Sequence, residues 1–467
     1  MWHCEAMAPR AGLADVSLER TRSHQRAWAW YDWANSAYVT TTGTVLISPY
    51  LTALARADAC PGLADGERCR ENLSVLGVPV AVGSLAPYTI TVATIVSAVF
   101  LLLVGAVADR TVHPTRLLAG FAWVGSVAAM GMFFLSGTNW QLGVVLVIVA
   151  NLCLGSSIVV YDALLVRIAH PDDRDAVSSR GWALGYLGGG VLLALNLCLL
   201  QLHATIGVGY EMAVRLSLFS AGLWWAVFTL IPVWGLRRVR GTTSVPVSSE
   251  SGTLLGTFTQ LRTTFAQMRM FPQTLLFLVA YLFFNDGIQT VIYSASLYGS
   301  EELGFEAGQL IITILLVQFV AFGGALLFGR LAVRFGAKRV VLSGLALWTA
   351  VVAFAFVVPE GAYTLWLICA CCIGIVLGGT QALSRSMYSQ LVPAGRESEF
   401  FSFYQAMERG TSWLGTLAFG LIFQLTGSYR LSIIALILFF VTGGLLLARV
   451  NMRQGIAAAG NEQPAIV

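Results

Sequence analysis

The sequence predicts an all-α membrane protein of twelve transmembrane helices, built as two six-helix pseudo-repeats. Three observations predict it: a composition too apolar for water, twelve apolar runs of bilayer length, and loop motifs that recur across the middle of the chain. Of 467 residues, 57% are hydrophobic and 11% charged, with a mean hydropathy of +0.74. Soluble domains run near ~45–50% apolar and ~25% charged. So few charges cannot clothe a water-facing surface of this size, which excludes a soluble enzyme, a nucleic-acid binder and a disordered scaffold.

The apolar runs lie near 31–54, 85–107, 117–136, 141–164, 181–202, 215–234, 273–298, 309–329, 339–358, 363–384, 403–425 and 430–449. Each approaches the ~20 residues that cross a bilayer core. An even number returns both tails to one side. The tails and the loops on that side hold 22 basic residues, whereas the opposite loops hold Arg56, Arg68, Arg70, Arg215 and Arg430. Positive charge marks the cytoplasmic side, so both termini are expected there. The 27 arginines against a single lysine, Lys338, hint at a GC-rich bacterial genome and hence a bacterial cell membrane.

The organisation expected is a tail at 1–28, a six-helix half at 29–234, a linker at 235–272, a second half at 273–449 and a tail at 450–467. The linker opens with the flexible run GTTSVPVSSESG. Leu254, Leu255, Phe258, Leu261, Phe265 and Met268 then recur at helical spacing, as in a helix lying along the membrane surface or tying the halves together. The first 27 residues hold no apolar core, so no cleaved signal peptide is expected.

Cys153, Cys198, Cys369, Cys371 and Cys372 fall in apolar stretches and read as core residues. Cys60 and Cys69 share the one long external loop, about 55–84, and could pair if that loop faces an oxidising compartment, the sequence leaving paired and free forms both open. All five histidines lie outside the apolar runs, so neither an intramembrane metal centre nor a cofactor is expected. The glycine runs Gly188-Gly189-Gly190, Gly323-Gly324 and Gly378-Gly379 read as close-packing helix surfaces. None follows a strand, which rules out a phosphate loop and a self-contained nucleotide-driven pump.

A duplication supports the two halves. GAVADRTVHPTR after span 2 resembles GRLAVRFGAKR after span 8, with Gly105 and Gly329 offset by 224 positions. His170-Pro171-Asp172-Asp173-Arg174-Asp175 resembles Val392-Pro393-Ala394-Gly395-Arg396-Glu397, offset by 222. Parallel six-span repeats of this kind build one large transporter architecture.

On these residues the chain resembles the major facilitator superfamily. Its Gly-x-x-x-Asp-Arg loop is here Gly105, Asp109 and Arg110, with Arg116 as the basic end. The weaker copy has Gly329, Arg334, Gly336, Lys338 and Arg339, with Val333 in place of the aspartate. The resemblance implies that this loop holds the outward-open state, leaning here on the N-terminal half. YDWANSAY at 31–38, SSRGWALGYLGGG at 178–190, FFNDGIQT at 283–290, GGTQALSRS at 378–386, ESEFFSFY at 397–404 and ERGTSWLG at 408–415 resemble the vacuole-effluxer branch, which includes the fungal autophagy-related amino-acid effluxers and bacterial relatives. That resemblance implies export of a small solute, with amino acids first. The sequence departs from the branch at Thr416, where proline is expected, and at Arg167, where an acidic residue is common.

Ionisable groups inside hydrocarbon are costly, so each is a functional candidate. Asp286, with Asn285 and Gln289 at helical spacing, is expected to line one cavity and to bind a substrate amine or couple protons. The competing reading is an interhelical cluster around a protonated aspartate. Asp32, Asn35 and Ser36 fall near the cytoplasmic boundary amid Trp28, Trp30, Tyr31 and Trp33, as a gate or as an interfacial anchor. Asp162 ends span 4, with Arg167 or Arg110 as available partners. Gln381, Ser384 and Arg385 form the polar end of span 10, Arg385 reading equally as an ordinary positive-inside charge. Glu408 and Arg409 lie in span 11, for coupling or for an ion pair such as Arg409 with Asp109.

The function expected is therefore secondary transport by alternating access. Asn35, Asn285, Asp286, Gln289, Gln381 and Ser384 would bind substrate, and Asp32, Asp286 and Glu408 would couple protons. No catalytic residues are expected, and the ligands are a small solute, protons if transport is coupled, and lipid, for a chain acting as a monomer. A polytopic membrane enzyme or a non-transporting sensor are the alternatives; the scattered histidines and the short tails disfavour them.

Overall fold

In lipid every backbone N–H and C=O must be paired within its own segment, which leaves an apolar chain few forms besides the helix. The structure, a computed structural model, describes residues 11–62, 69, 71–75, 77–240, 268–410 and 413–467. The stretch from Leu254 to Phe265 lies outside them; Met268, the last residue of that pattern, is buried.

Among the described residues helices occupy all twelve expected spans. Span 1 runs as Ala11–Tyr38, a π-helical stretch Val39–Leu46 and Ile47–Ala59. Spans 2 to 5 are Leu85–Asp109, Pro114–Gly131, Trp140–Ile168 and Arg174–Leu202. Span 6 is Tyr210–Phe228 continued by Leu230–Gly235. Spans 7 to 10 are Pro272–Glu301, Ala307–Phe335, Ala337–Val357 and Tyr363–Gln390. Span 11 is Glu397–Gly410 with Trp413–Thr426, and span 12 is Tyr429–Ile434 with Ile437–Arg449. Ten of the spans are long and apolar enough to cross a bilayer; the divided spans 1 and 11 are the others.

Local chemistry sets the helix ends. Pro114 and Pro272 open their helices, where a missing N–H costs nothing. Glu306 and Gln309 form a reciprocal capping box at the start of span 8. Gly336, with φ of 85°, makes the tight turn between spans 8 and 9. Inside the spans Thr89, Ser126, Ser217 and Thr229 return their hydroxyls to carbonyls one turn back, so they add no unpaired group.

Several helices outrun their apolar runs, which changes where charges sit. Span 1 starts at Ala11 rather than near residue 31. Asp32, Trp28 and Tyr31 are thus buried within the bundle, not ranged at an interface as the sequence suggested. Likewise Asp162 and Arg385 lie inside their helices and are buried.

One apolar cluster is built from Ala27 to Leu236 and a second from Met268 to Ile456, the latter reaching Ala163. The halves meet chiefly where span 2 packs on span 11 and span 5 on span 8. Glycine permits both approaches: a Cβ on Gly105 would fall 2.6 Å from Ser402 Cβ, and one on Gly329 2.6 Å from Ser179 Cβ. Below, the terminal side means the end where span 1 begins and span 12 finishes. At the opposite end Cys60 and Cys69 form a disulfide beside a small antiparallel hairpin, Asn72–Val75 with Val78–Ala81.

Of the three glycine runs, Gly378-Gly379 packs tightest, whereas a Cβ at Gly323 would enter open space. On span 10 a Cβ at Gly378 would meet the backbone of Ala321, and one at Gly379 the ring of Phe328. Gly378→Ala is expected to cost on the order of 1–3 kcal/mol by overpacking, read as a lower Tm in detergent. Gly420→Ala, where a methyl would enter open space, should leave Tm unchanged or slightly raised; equal Tm values for the two variants would contradict this contact.

Candidate functional site

A cavity of about 420 Å³ lies between the halves. Its walls divide by chemistry. The N-terminal half supplies Asp32, Asn35, Ser36, Thr40 and Thr44 from span 1, Asp162 from span 4 and Trp182 from span 5. The C-terminal half supplies a largely apolar wall, including Ile292, Ile314, Val317, Ile373 and Leu377, with Gln381, Arg385, Glu408 and Arg409 at its base.

Arg385 is the hub of that base. Its Nη2 lies 3.0 Å from Asp32 Oδ2 and its Nη1 3.3 Å from Asp162 Oδ1, so a cation of span 10 is shared by carboxylates of spans 1 and 4. Nε donates to Ser178 Oγ at 3.0 Å and Nη2 to the Ser178 carbonyl at 3.0 Å. Trp28 lies under the guanidinium, ring centroid 4.8 Å from Cζ, and stacks on Tyr161 at 4.3 Å. Tyr161 in turn donates its hydroxyl to Asp32 Oδ2 at 2.8 Å. The fit depends on glycine: a Cβ at Gly181 would stand 2.5 Å from Asp32 Oδ2 and 2.9 Å from Arg385 Nη2. Removing one partner of a buried pair strands the other charge at about 3–5 kcal/mol.

The network extends into span 11. Gln405 Nε2 donates to Asp162 Oδ2 at 3.0 Å and to Glu408 Oε2 at 3.2 Å, and Tyr281 donates to the same Glu408 oxygen at 3.1 Å. Gln381 Nε2 reaches Asn285 Oδ1 at 2.9 Å. Polar bonds therefore run from span 1 to span 7 without leaving the cavity base. Arg409 is different. It lines the cavity, its Nε has no hydrogen-bond partner, and it enters no ion pair among the described residues.

The terminal side below this base is closed by further bonds between the halves. Arg174 donates to the Ser389 carbonyl at 2.9 Å and to Gln390 Oε1 at 3.2 Å, and Arg167 pairs with Glu397 at 3.0 Å. Asp109 accepts from the N–H groups of Ser398 and Glu399, both at 2.8 Å, at the exposed-dipole start of span 11. The cavity faces away from this seal, with exposed Val39 and Tyr293 in its wall.

The structure brings Asp32, Asn35, Gln289, Gln381 and Glu408 to one cavity, and Asn285 touches it through Gln381. Two expected members stand elsewhere. Asp286 turns to span 11, where it accepts from Gly415 N–H at 2.7 Å, and does not line the cavity. It shares a helix with Gln289, yet three residues' rotation carries it to the lipid-shielded seam between spans 7 and 11. Ser384 returns its hydroxyl to the Thr380 carbonyl at 2.7 Å and is likewise absent from the wall. Asp162 pairs with Arg385 rather than Arg167 or Arg110, and Asp109 caps span 11 instead of meeting Arg409. Of the loop motifs, Gly105, Asp109 and Gly329 sit at contacts between halves, while Arg116 and Arg334 are exposed.

Sequence reasoning missed Tyr161, Gln405, Gln318 and the π-helical part of span 1. Gln318 of span 8 donates to Thr40 Oγ1 at 2.7 Å, joining the halves at the cavity wall. The signal was available as the run Val39-Thr40-Thr41-Thr42-Gly43-Thr44, since β-branched residues and glycine weaken an α-helix, and π-turns gather at functional sites.

The family described as "Vacuole effluxer Atg22 like" matches residues 20–460. The "Uncharacterized MFS-type transporter YxiO" of Bacillus subtilis is 29% identical, over 92% of this chain and 95% of its own. "Autophagy-related protein 22-1" of Phaeosphaeria nodorum is 27% identical, over 86% of this chain and 81% of its own. Among solved structures, the Major Facilitator Superfamily transporter FucP of E. coli superposes with a TM-score of 0.64 at 11% identity, covering 92% of this chain and 98% of that one. With the twelve spans, the paired halves and the central cavity, these matches make the chain an integral, multi-pass membrane transporter of the major facilitator superfamily, belonging to its Atg22-like vacuole-effluxer family.

Proposed function

We propose that this transporter exports amino acids, or zwitterions like them, by alternating access with proton exchange. The observation that carries the reading is the charge pattern of the cavity base. Three carboxylates, Asp32, Asp162 and Glu408, stand against two guanidiniums, and one of those, Arg409, enters no ion pair among the described residues. A substrate carboxylate would pair with Arg409, for which a planar, two-pronged donor is well suited. Its ammonium would then compete with Arg385 for the carboxylates, and its side chain would meet the apolar wall of spans 7, 8 and 10.

With the termini in the cytoplasm, the terminal side is the inner gate. The cavity then faces out. A proton entering there neutralises a carboxylate, weakens its hold on an ammonium and releases the substrate outward. The halves rock only when the loss of Asp32 and Asp162 from Arg385 is offset, and an inward-moving proton supplies that offset. Proton in and solute out is antiport, the direction the family name suggests.

Counterflow of mixed amino acids in proteoliposomes tests the substrate. Arg409→Gln should raise KM by about 10–100-fold, the worth of a charge-assisted pair, and erase discrimination between an amino acid and its amide. If the wild-type chain moves no amino acid, the reading fails. Glu408→Gln should leave counterflow intact but abolish stimulation by a pH gradient; stimulation as large as that of the wild type would remove Glu408 from coupling.

A further inference from the structure

The two copies of the gating loop make similar contacts with unequal chemistry. At the first, Asp109 caps the start of span 11 in the opposite half. At the second, Val333 stands in the aspartate's place, 53% exposed and apolar. Facing the start of span 5 there is instead the segment that follows span 12.

That segment is fixed to the C-terminal half. Asn451 caps the short helix Met452–Ala458, and Asn461 Nδ2 donates to the carbonyls of Gln390 at 2.8 Å and Val392 at 2.7 Å. Its far end reaches the other half. The Ala465 N–H donates to Asp172 Oδ1 at 2.7 Å, and Glu462 lies 3.5 Å from His170. Ala465, Ile466 and Val467 share a cleft of about 150 Å³ with Pro171 and Asp172 of one half and Val333 of the other. Gly336 makes room, since a Cβ there would stand 3.1 Å from the Val467 carbonyl.

We propose that residues 461–467 are a latch, holding the terminal side closed at the second loop as Asp109 does at the first. The segment is rooted in one half and hooked on the other, so any rocking that parts span 5 from span 8 must break the Ala465–Asp172 bond and withdraw Ile466 and Val467 from Pro171. The latch therefore sets the resting balance between the two open states. It rests on the alternating-access reading only in requiring that the halves move; it is indifferent to substrate and coupling.

Electron–electron distance measurements between spin labels at Val112→Cys and Met270→Cys, exposed terminal-side positions of opposite halves, test it. For labelling, Cys4, Cys153, Cys198, Cys369, Cys371 and Cys372 are first replaced by alanine, which leaves the Cys60–Cys69 pair as the only other cysteines. The full chain should show mainly the shorter distance. Deletion of 461–467 and Asp172→Ala should each raise the ratio of longer to shorter distances by about tenfold, the effect of one lost charge-assisted hydrogen bond. Asp173→Ala, which removes the same charge one residue away, should not. Unchanged distributions in both the deletion and Asp172→Ala overturn the latch, and Asp172→Ala alone decides if the deletion does not fold. A second population that responds to substrate but not to these changes overturns the latch and leaves alternating access standing. One distance under every condition overturns both.

Discussion

A single guanidinium shared by two carboxylates of the opposite half joins the structure at its centre. Arg385 of span 10 binds Asp32 of span 1 and Asp162 of span 4, below a cavity and above the seal of the terminal side. Burying three charges is costly unless all are paired and their remaining donors and acceptors satisfied. The surroundings meet that demand: Tyr161 and Gln405 serve the carboxylates, Ser178 and the Trp28 ring serve the cation, and Gly181 leaves the space. The residues that do this come from spans 1, 4, 5, 10 and 11. Their mutual fit is what makes the closed terminal side a defined state rather than a loose contact.

Such a triad is also easy to unbalance. It carries one more negative charge than positive, and Glu408 lies two hydrogen bonds away through Gln405. A proton or an ammonium arriving from the cavity changes the count on which the closure depends. In the proposed reading, energetic cost and functional use fall on the same side chains, as expected for ionisable groups within a membrane bundle. The peripheral contacts, Asp109 on span 11 and Arg174 on the end of span 10, join the same two halves at a distance from the triad, and in the proposed reading they would act on the same rigid-body motion.

Much of this was legible in the sequence. Apolar runs gave the spans because hydrocarbon imposes a length and a backbone rule that few sequences satisfy by chance. The offset of Gly105 from Gly329 gave the pseudo-repeat, and both glycines do sit where spans cross between halves. Asp32, Gln381 and Glu408 stand out in the sequence as polar groups in or beside apolar runs, and the structure sets all three in the cavity wall. What was not legible was direction around the helix axis. Asp286 stands out equally, yet it faces Gly415 while Gln289 faces the cavity. Helical spacing groups residues onto faces but does not say which face meets which neighbour. Arg385 was read as an edge charge because hydropathy ends before the helix does; span 10 continues to Gln390 under other side chains, not under lipid.

The central claim is that this contact must open for transport to occur. Ser178 and Ala382 meet across it, hydroxyl to carbonyl at 2.7 Å. The most direct measurement is amino-acid counterflow by a Ser178→Cys, Ala382→Cys variant whose two thiols are joined by a short reducible cross-linker. Transport should vanish on cross-linking and return on reduction. Counterflow that continues at the uncross-linked rate, with the link shown to be complete, would contradict the account.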